Sequence, residues 1–245
     1  KIREIFSREF SCPVLVFDKV VAIAFGEGIL SSNSQNVNLV YLHLGRGVGA
    51  GLFLNGKIYR GSQGAAGEVG YMIYRPIDEK GPISLHEIPP LESEVSFNNI
   101  LKVFRERYPN SFPINQCQSE NDEVTIFYNT FLKNDSQSEV ILKLLFEKVE
   151  MIAVNLVAIL NPDLFVLGGK LTEIFSEILL KRIVQRLHQS VLFPPQVKTV
   201  TLGKNEEIIC TLFFAIDDYF QRLTGNNQGL TSTFLKRYNP QLWNQ

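Results

Sequence analysis

The sequence is poor in the features that would assign it at once. Its 245 residues hold three cysteines, Cys12, Cys117 and Cys210, an odd number with no pair at metal-ligand spacing. That excludes a disulfide framework and points to reduced thiols in a cytoplasmic protein. No apolar run reaches about 18 residues and no leader pattern opens the chain, so nothing reads as a membrane span or a secretory signal. Neither sign of charge is in excess. The 24 Lys and Arg against 25 Asp and Glu leave a net charge of −1, which gives these residues no electrostatic footprint for nucleic acid. There is no internal repeat and no low-complexity tract. The chain also lacks an opening Met and begins in what reads as the middle of a helix, as a piece of a longer protein would.

What is present is a chain that is 45% apolar, enough to bury a real core in one or two domains. It is organised around residues 36–70. An apolar run at 39–44 enters the turn Gly45-Arg46-Gly47-Val48-Gly49-Ala50-Gly51, and a second run at 52–54 meets Asn55-Gly56, a strong hairpin signal. The spacing predicts a β-hairpin over 39–61. Glycines this dense let backbone approach a ligand, and their N–H groups can converge on phosphate oxygens. A glycine-rich hairpin with no ligand accounts for the glycines equally well. The segment that follows, Gly61-Ser62-Gln63-Gly64-Ala65-Ala66-Gly67-Glu68-Val69-Gly70, sets one carboxylate among small residues. Such neighbours leave room for a ligand, and the lone acceptor suits hydroxyl groups.

Residues 44–70 resemble, almost position for position, the glycine-rich pattern of the ROK family of repressors and sugar kinases, L-G-x-G-x-G-A-G followed by G-x-A-G-E-x-G-H. Tyr71 stands where that pattern ends in histidine. Weaker similarity runs over residues 13–169. The resemblance implies an α/β protein of the actin-like, sugar-kinase (ribonuclease H-like) fold, with a sugar, and in the kinases ATP, between two lobes. Residues 1–36 would close the first lobe, 37–225 would form the second, and 226–245 would be a tail. The family's D-x-G-x-T phosphate loop, and any helix-turn-helix, would lie upstream of Lys1.

Carried over residue by residue, the resemblance implies a sugar site of Asp18, Gly64, Glu68, Tyr71 and Glu92. It implies nucleotide or phosphate contacts at Gly45, Gly47, Gly49, Gly168 and Gly169. The family's catalytic Asp, the base that takes the sugar hydroxyl proton, falls on Lys19 when the alignment is anchored on Ala24 and Gly26-Glu27. Lysine, with a pKa of about 10.4, is protonated at neutral pH and cannot serve as that base. Asp18 is the fallback base under a shifted alignment, and it is also a natural N-cap for a helix beginning there. The family's zinc motif has no counterpart after Tyr71, where His86 alone cannot make a four-ligand site. No zinc and no cofactor are therefore expected, with ATP and Mg²⁺ entering only if the protein is a kinase. Glu92 reads equally as a surface helix residue, and Gly168-Gly169 as a close-packed turn.

The remaining pattern is a succession of helices and strands. Ile2, Ile5, Phe6 and Phe10 share one side of a helix, Cys12-Pro13 ends it, and residues 14–17 read as a short buried strand. Helices are expected at 100–108, 124–132, 139–160, 171–191 and 206–223. In the third of these Ile141, Leu144, Leu145, Ile152, Leu156 and Ile159 fall on one face. Strands are expected at 164–167 and 197–202. In the last helix Cys210-Thr211-Leu212 replaces the family's small-residue turn and would crowd the adenosine side of the cleft.

Three functions follow. The first is a sugar-sensing effector domain of a transcriptional regulator, dimeric, reaching DNA only through an upstream domain. The second is an ATP-dependent sugar kinase of the glucokinase or N-acetylhexosamine kinase type. The third is a degenerate body that binds no sugar and only dimerises. Lys19, Val21, Tyr71, Cys210 and the missing zinc ligands favour the regulator, whereas the intact glycine turn and Gly168-Gly169 favour the kinase.

Overall fold

The computed structural model describes residues 1–31, 36–74, 91–107, 126–127, 129 and 136–224. Five strands form one sheet: β1 (Leu39–Leu44), β2 (Val48–Leu54), β3 (Lys57–Tyr59), β4 (Leu164–Gly168) and β5 (Gln196–Thr199), in the order β3-β2-β1-β4-β5. β1 runs antiparallel to β2 and parallel to β4, β2 antiparallel to β3, and β4 parallel to β5. The helices among the described residues are α1 (Ile2–Phe10), α2 (Lys19–Leu30), α3 (Glu92–Val95), α4 (Phe97–Arg107), α5 (Ser136–Leu160), α6 (Lys170–Ser190) and α7 (Glu206–Thr224). None of them is long and apolar enough to cross a membrane.

The sheet is buried on both faces, which is why β1 and β4 read as unbroken apolar runs rather than alternating ones. Val40, Leu42, Leu44, Phe165 and Leu167 face α4, α5 and α6 in one cluster. Their neighbours along the strands, Leu39, Tyr41, Leu164 and Val166, face the other way, onto Ile23, Ala24 and Phe25 of α2 and Cys210 of α7. Each large side chain taken fully out of water contributes roughly 1.5–3 kcal/mol. Val48, Ala50 and Leu52 of β2 join the first cluster, which leaves Gly49 and Gly51 on the α2 side. A Cβ on Gly51 would overlap Ala24 and lie 2.6 Å from the Val20 carbonyl oxygen. The missing side chain therefore sets how closely α2 approaches the sheet.

Local turn chemistry fits the sequence. Asn55 and Gly56 both take positive φ, 53° and 73°, as the two-residue hairpin turn between β2 and β3 requires. Asn161 ends α5 at φ 42°, a left-handed cap that asparagine tolerates. Asp163 then accepts a hydrogen bond from the Asn38 amide through Oδ2 (2.8 Å) and donates its own amide to the Asn38 carbonyl (2.8 Å). The Asn-Pro-Asp string thus ties the start of β4 to the start of β1.

Four expectations need correction. Residues 14–17 form no strand: Val16 is 52% exposed, and among the described residues no strand pairs with them. The glycine turn is shorter than its composition implies, because Val48 already pairs with Leu44 and only residues 45–47 turn. In α5, Leu144 and Ile159 are exposed, and Phe146, Val149 and Ala153 are buried instead. Helical spacing alone does not say which flank of an apolar stripe the neighbours cover. The strand at 197–202 stops at Thr199 and starts one residue earlier. The expected helix at 124–132 and the tail at 226–245 lie mostly outside the described residues.

Candidate functional site

The N-terminus of α2, the β1–β2 turn and the loop after β3 converge on one cavity of about 310 Å³. Asp18 and Lys19 enter it from α2. Asp18 caps that helix, its Oδ1 accepting the Val20 amide at 2.6 Å. Gly47, Gly49 and Arg46 enter from the turn and the start of β2, and Gly64 and Glu68 from the loop. That loop is pinned by the Ala50 amide, which donates to the Gly67 carbonyl at 2.7 Å. Gly67 sits at φ 93°, where a Cβ would overlap the Ala50 carbonyl. Only glycine permits this approach, and it carries Glu68 to the cavity wall. Glu92, at the start of α3, closes the far side and accepts the Val48 amide at 3.2 Å.

Three carboxylates, Asp18, Glu68 and Glu92, therefore share the cavity with two cations, Lys19 and Arg46. Burial, with the charges of Asp18 and Glu92 nearby, pushes the Glu68 carboxyl up from its usual range. Carboxylates in such proximity suit a ligand offering several hydroxyl donors. The ammonium of Lys19 is held by Glu207, at the start of α7, at 2.9 Å, and both side chains are about half exposed.

Of the residues carried over as sugar contacts, Asp18, Gly64, Glu68 and Glu92 line the cavity, and Tyr71 does not. Tyr71 ends a short 3₁₀ turn, Val69–Tyr71, and is 40% exposed. Of the glycines carried over for phosphate or nucleotide, Gly47 and Gly49 line the cavity and Gly45, Gly168 and Gly169 do not. A Cβ on Gly168 would press on Tyr41 and Val200, and one on Gly169, at φ 89°, on the Leu44 backbone. Close packing is one reason for glycine at both positions. Cys210, expected at the adenosine side of the cleft, packs between α7 and α2. It is fully buried against Gly26 of α2, and burial pushes its thiol up to about 12. His86, like most of the stretch where the zinc motif would fall, lies outside the described residues. Among the described residues, no three His, Cys, Asp or Glu side chains are grouped to hold a metal ion.

One cavity residue escaped the sequence reading: His43, in the second-last position of β1. It is 6% exposed, and its Nδ1 lies 2.8 Å from the Tyr41 hydroxyl. Burial, helped by the Lys19 charge, brings its pKa down to about 4. The available signal was a single polar side chain in an otherwise apolar six-residue run, directly before the glycine turn.

Comparison with known proteins places this geometry. A family model described as the ROK family matches residues 1–207. The chain is 28% identical over 193 residues to a xylose repressor of Caldicellulosiruptor bescii, covering 77% of this chain and 47% of that protein. It thus spans about half the length of the relatives it matches. Among solved structures, the ROK hexokinase of Thermus thermophilus superposes with a TM-score of 0.64 at 22% identity, over 85% of this chain and 67% of that one. A ROK family protein of Streptococcus pneumoniae, solved in complex with sucrose, gives 0.67 at 16% identity, over 90% and 71%. The fold is that of the actin-like ROK sugar kinases.

Proposed function

Because the chain belongs to the ROK family, we propose that it is the sugar-sensing effector part of a transcriptional regulator, binding a carbohydrate without phosphorylating it efficiently. The observation that carries this reading is Lys19. It occupies the position at which the family resemblance puts the catalytic carboxylate, it lines the cavity, and its ammonium is ion-paired with Glu207. A protonated amine held in this way accepts no proton from a sugar hydroxyl. Asp18, Glu68 and Glu92 need only accept hydrogen bonds to be useful, and a ligand that joins elements around a cleft can bias a two-state body. The likeness to a xylose repressor supports the same reading. A DNA-binding segment upstream of Lys1, a dimeric state and a cytoplasmic setting belong to this proposal. So does the absence of zinc and of a nucleotide requirement.

A sugar kinase is the second reading, and one observation favours it. Asp18 lines the cavity one residue before Lys19, where a shifted alignment would put the base. Calorimetric titration of the intact protein with monosaccharides, disaccharides and their phosphates, paired with an ADP-formation assay, separates the two. Sugar binding without turnover supports the regulator. Turnover supports the kinase, and no binding of any sugar removes both.

A further inference from the structure

The cavity contains a hydrogen-bonding group that neither reading above uses. Along β1, Tyr41 and His43 face the same side of the sheet, two residues apart, and their side chains bond to each other at 2.8 Å while nearly buried. Burial, and the carboxylates of Glu206, Glu207 and Glu27, hold the Tyr41 phenol well above its usual range. It therefore stays an O–H, and since Nδ1 of His43 is its one hydrogen-bond partner among the described residues, donating to that nitrogen is what satisfies a hydroxyl so fully buried. A phenol that donates to Nδ1 makes that nitrogen the acceptor of a neutral ring, and the single ring proton must then sit on Nε2.

Nε2 points at the Cα of Gly45, where a Cβ would lie 2.5 Å from it. Any side chain at position 45 would cover the ring tip. Nε2 has no hydrogen-bond partner among the described residues, and the His43 side chain belongs to the cavity lining. The fully buried polar atom left without a partner there is Oε2 of Glu206. The result is a neutral N–H donor in the lining of a cavity whose carboxylates, Asp18, Glu68 and Glu92, accept and whose Lys19 and Arg46 are charged donors. The charged groups acting on His43 are Lys19, Glu207, Asp18 and Glu173.

We infer that His43 is a ligand-binding residue, locked by Tyr41 as the Nε2–H tautomer to donate a hydrogen bond to a hydroxyl oxygen of the bound sugar. The inference rests on the sugar-binding reading above and adds the donor that the carboxylates cannot supply. A sugar hydroxyl both donates and accepts. A buried donor left unpaired by an analogue lacking the hydroxyl adds to the discrimination against that analogue.

The test combines two measurements on the intact protein. Nitrogen-15 NMR of the histidine ring should find His43 neutral with its proton on Nε2 at pH 7, and Tyr41→Phe should release the ring into a tautomer mixture. A proton on Nδ1 in the wild type overturns the inference with no ligand needed. Calorimetry with the best-binding monosaccharide should find His43→Gln, which keeps a terminal N–H donor, close to wild type. His43→Phe should be weaker by about tenfold or more, as loss of one buried hydrogen bond predicts. Should His43→Phe fail to fold, Tyr41→Phe takes its place with a smaller loss of affinity. If Glu68→Ala weakens binding and the His43 and Tyr41 variants do not, His43 is only structural and the sugar reading stands. If no sugar binds the wild type, both fall.

Discussion

Cys210 of α7 lies directly against Gly26 of α2, with its Cα 3.2 Å from where a Cβ on that glycine would be. The two helices cover the same face of the sheet, and this contact sets their closest approach. Alanine at 26 would gain up to about 1 kcal/mol of helix propensity. It would also overlap the thiol in a packed interior, and overpacking of this kind costs about 1–3 kcal/mol. Gly26→Ala should therefore destabilise, and adding Cys210→Ala, with Cys210→Ala alone as the reference, should recover only part of the loss, because Cβ of residue 210 still lies 2.8 Å from the new methyl. Urea unfolding of the four proteins measures it. An equally stable single variant would show that the helices can move apart freely.

Glu27, the next residue, is fully buried. It accepts from Lys198 Nζ at 2.8 Å, from the Thr201 amide at 2.5 Å and from the Thr201 hydroxyl at 2.7 Å. These bonds fasten α2 to β5 and to the segment that follows it. Removing one partner of a buried, hydrogen-bonded ion pair costs about 3–5 kcal/mol. Glu27→Ala should lose a substantial part of a stability that is about 5–15 kcal/mol in total for native proteins, and Glu27→Gln distinctly less. Thermal unfolding of both variants decides, and a Glu27→Ala protein that melts with the wild type contradicts the assignment.

Two buried groups should make stability depend on pH in opposite senses. Burial first, then the charges of Glu27, Glu207 and Glu173, raises the Glu206 carboxyl from 4.5 to about 7 against the opposing pull of Lys19. Between those values the folded state holds a proton that the unfolded chain has lost, so Glu206 stabilises at low pH and loses that contribution as pH rises to about 7. His43 is lowered from 6.5 to about 4. The unfolded chain holds the extra proton there, and stability falls as pH drops through that window. Each slope is at most about 1.4 kcal/mol per pH unit, and the two largely cancel between pH 4.5 and 6.5. Glu206→Gln should expose the His43 slope, giving a protein more sensitive to acid than wild type and more stable than it at pH 8. A variant whose pH profile matches the wild type would place the Glu206 titration outside this window.

How much of this was legible in the residues depended on range. The turn at Asn55-Gly56, the cap at Asp18 and the helices α5, α6 and α7 are local events, written in turn chemistry and period, and they stand where the sequence put them. The failed strand at 14–17 had the right composition and lacked a partner strand, which composition does not report. Lys19 was noticed for its identity, but its partner Glu207 lies 188 positions away. Cys210 was read as crowding a cleft because no local pattern says that it packs on Gly26. His43 was hidden inside a strand whose neighbours are all core.

The central claim, recognition without phosphorylation, separates Glu68 from Lys19. Glu68→Ala should weaken sugar binding by about tenfold to a hundredfold, as loss of a charged hydrogen-bond acceptor predicts. Lys19→Asp alone should restore little kinase activity, because Val21, where the family resemblance puts an asparagine, also departs from the kinase pattern. The most direct measurement is sugar-dependent ADP formation by the intact protein with ATP, Mg²⁺ and a sugar shown by calorimetry to saturate it. The account predicts no turnover above the sugar-free background. Robust sugar-dependent turnover would contradict it and would make Asp18 the base.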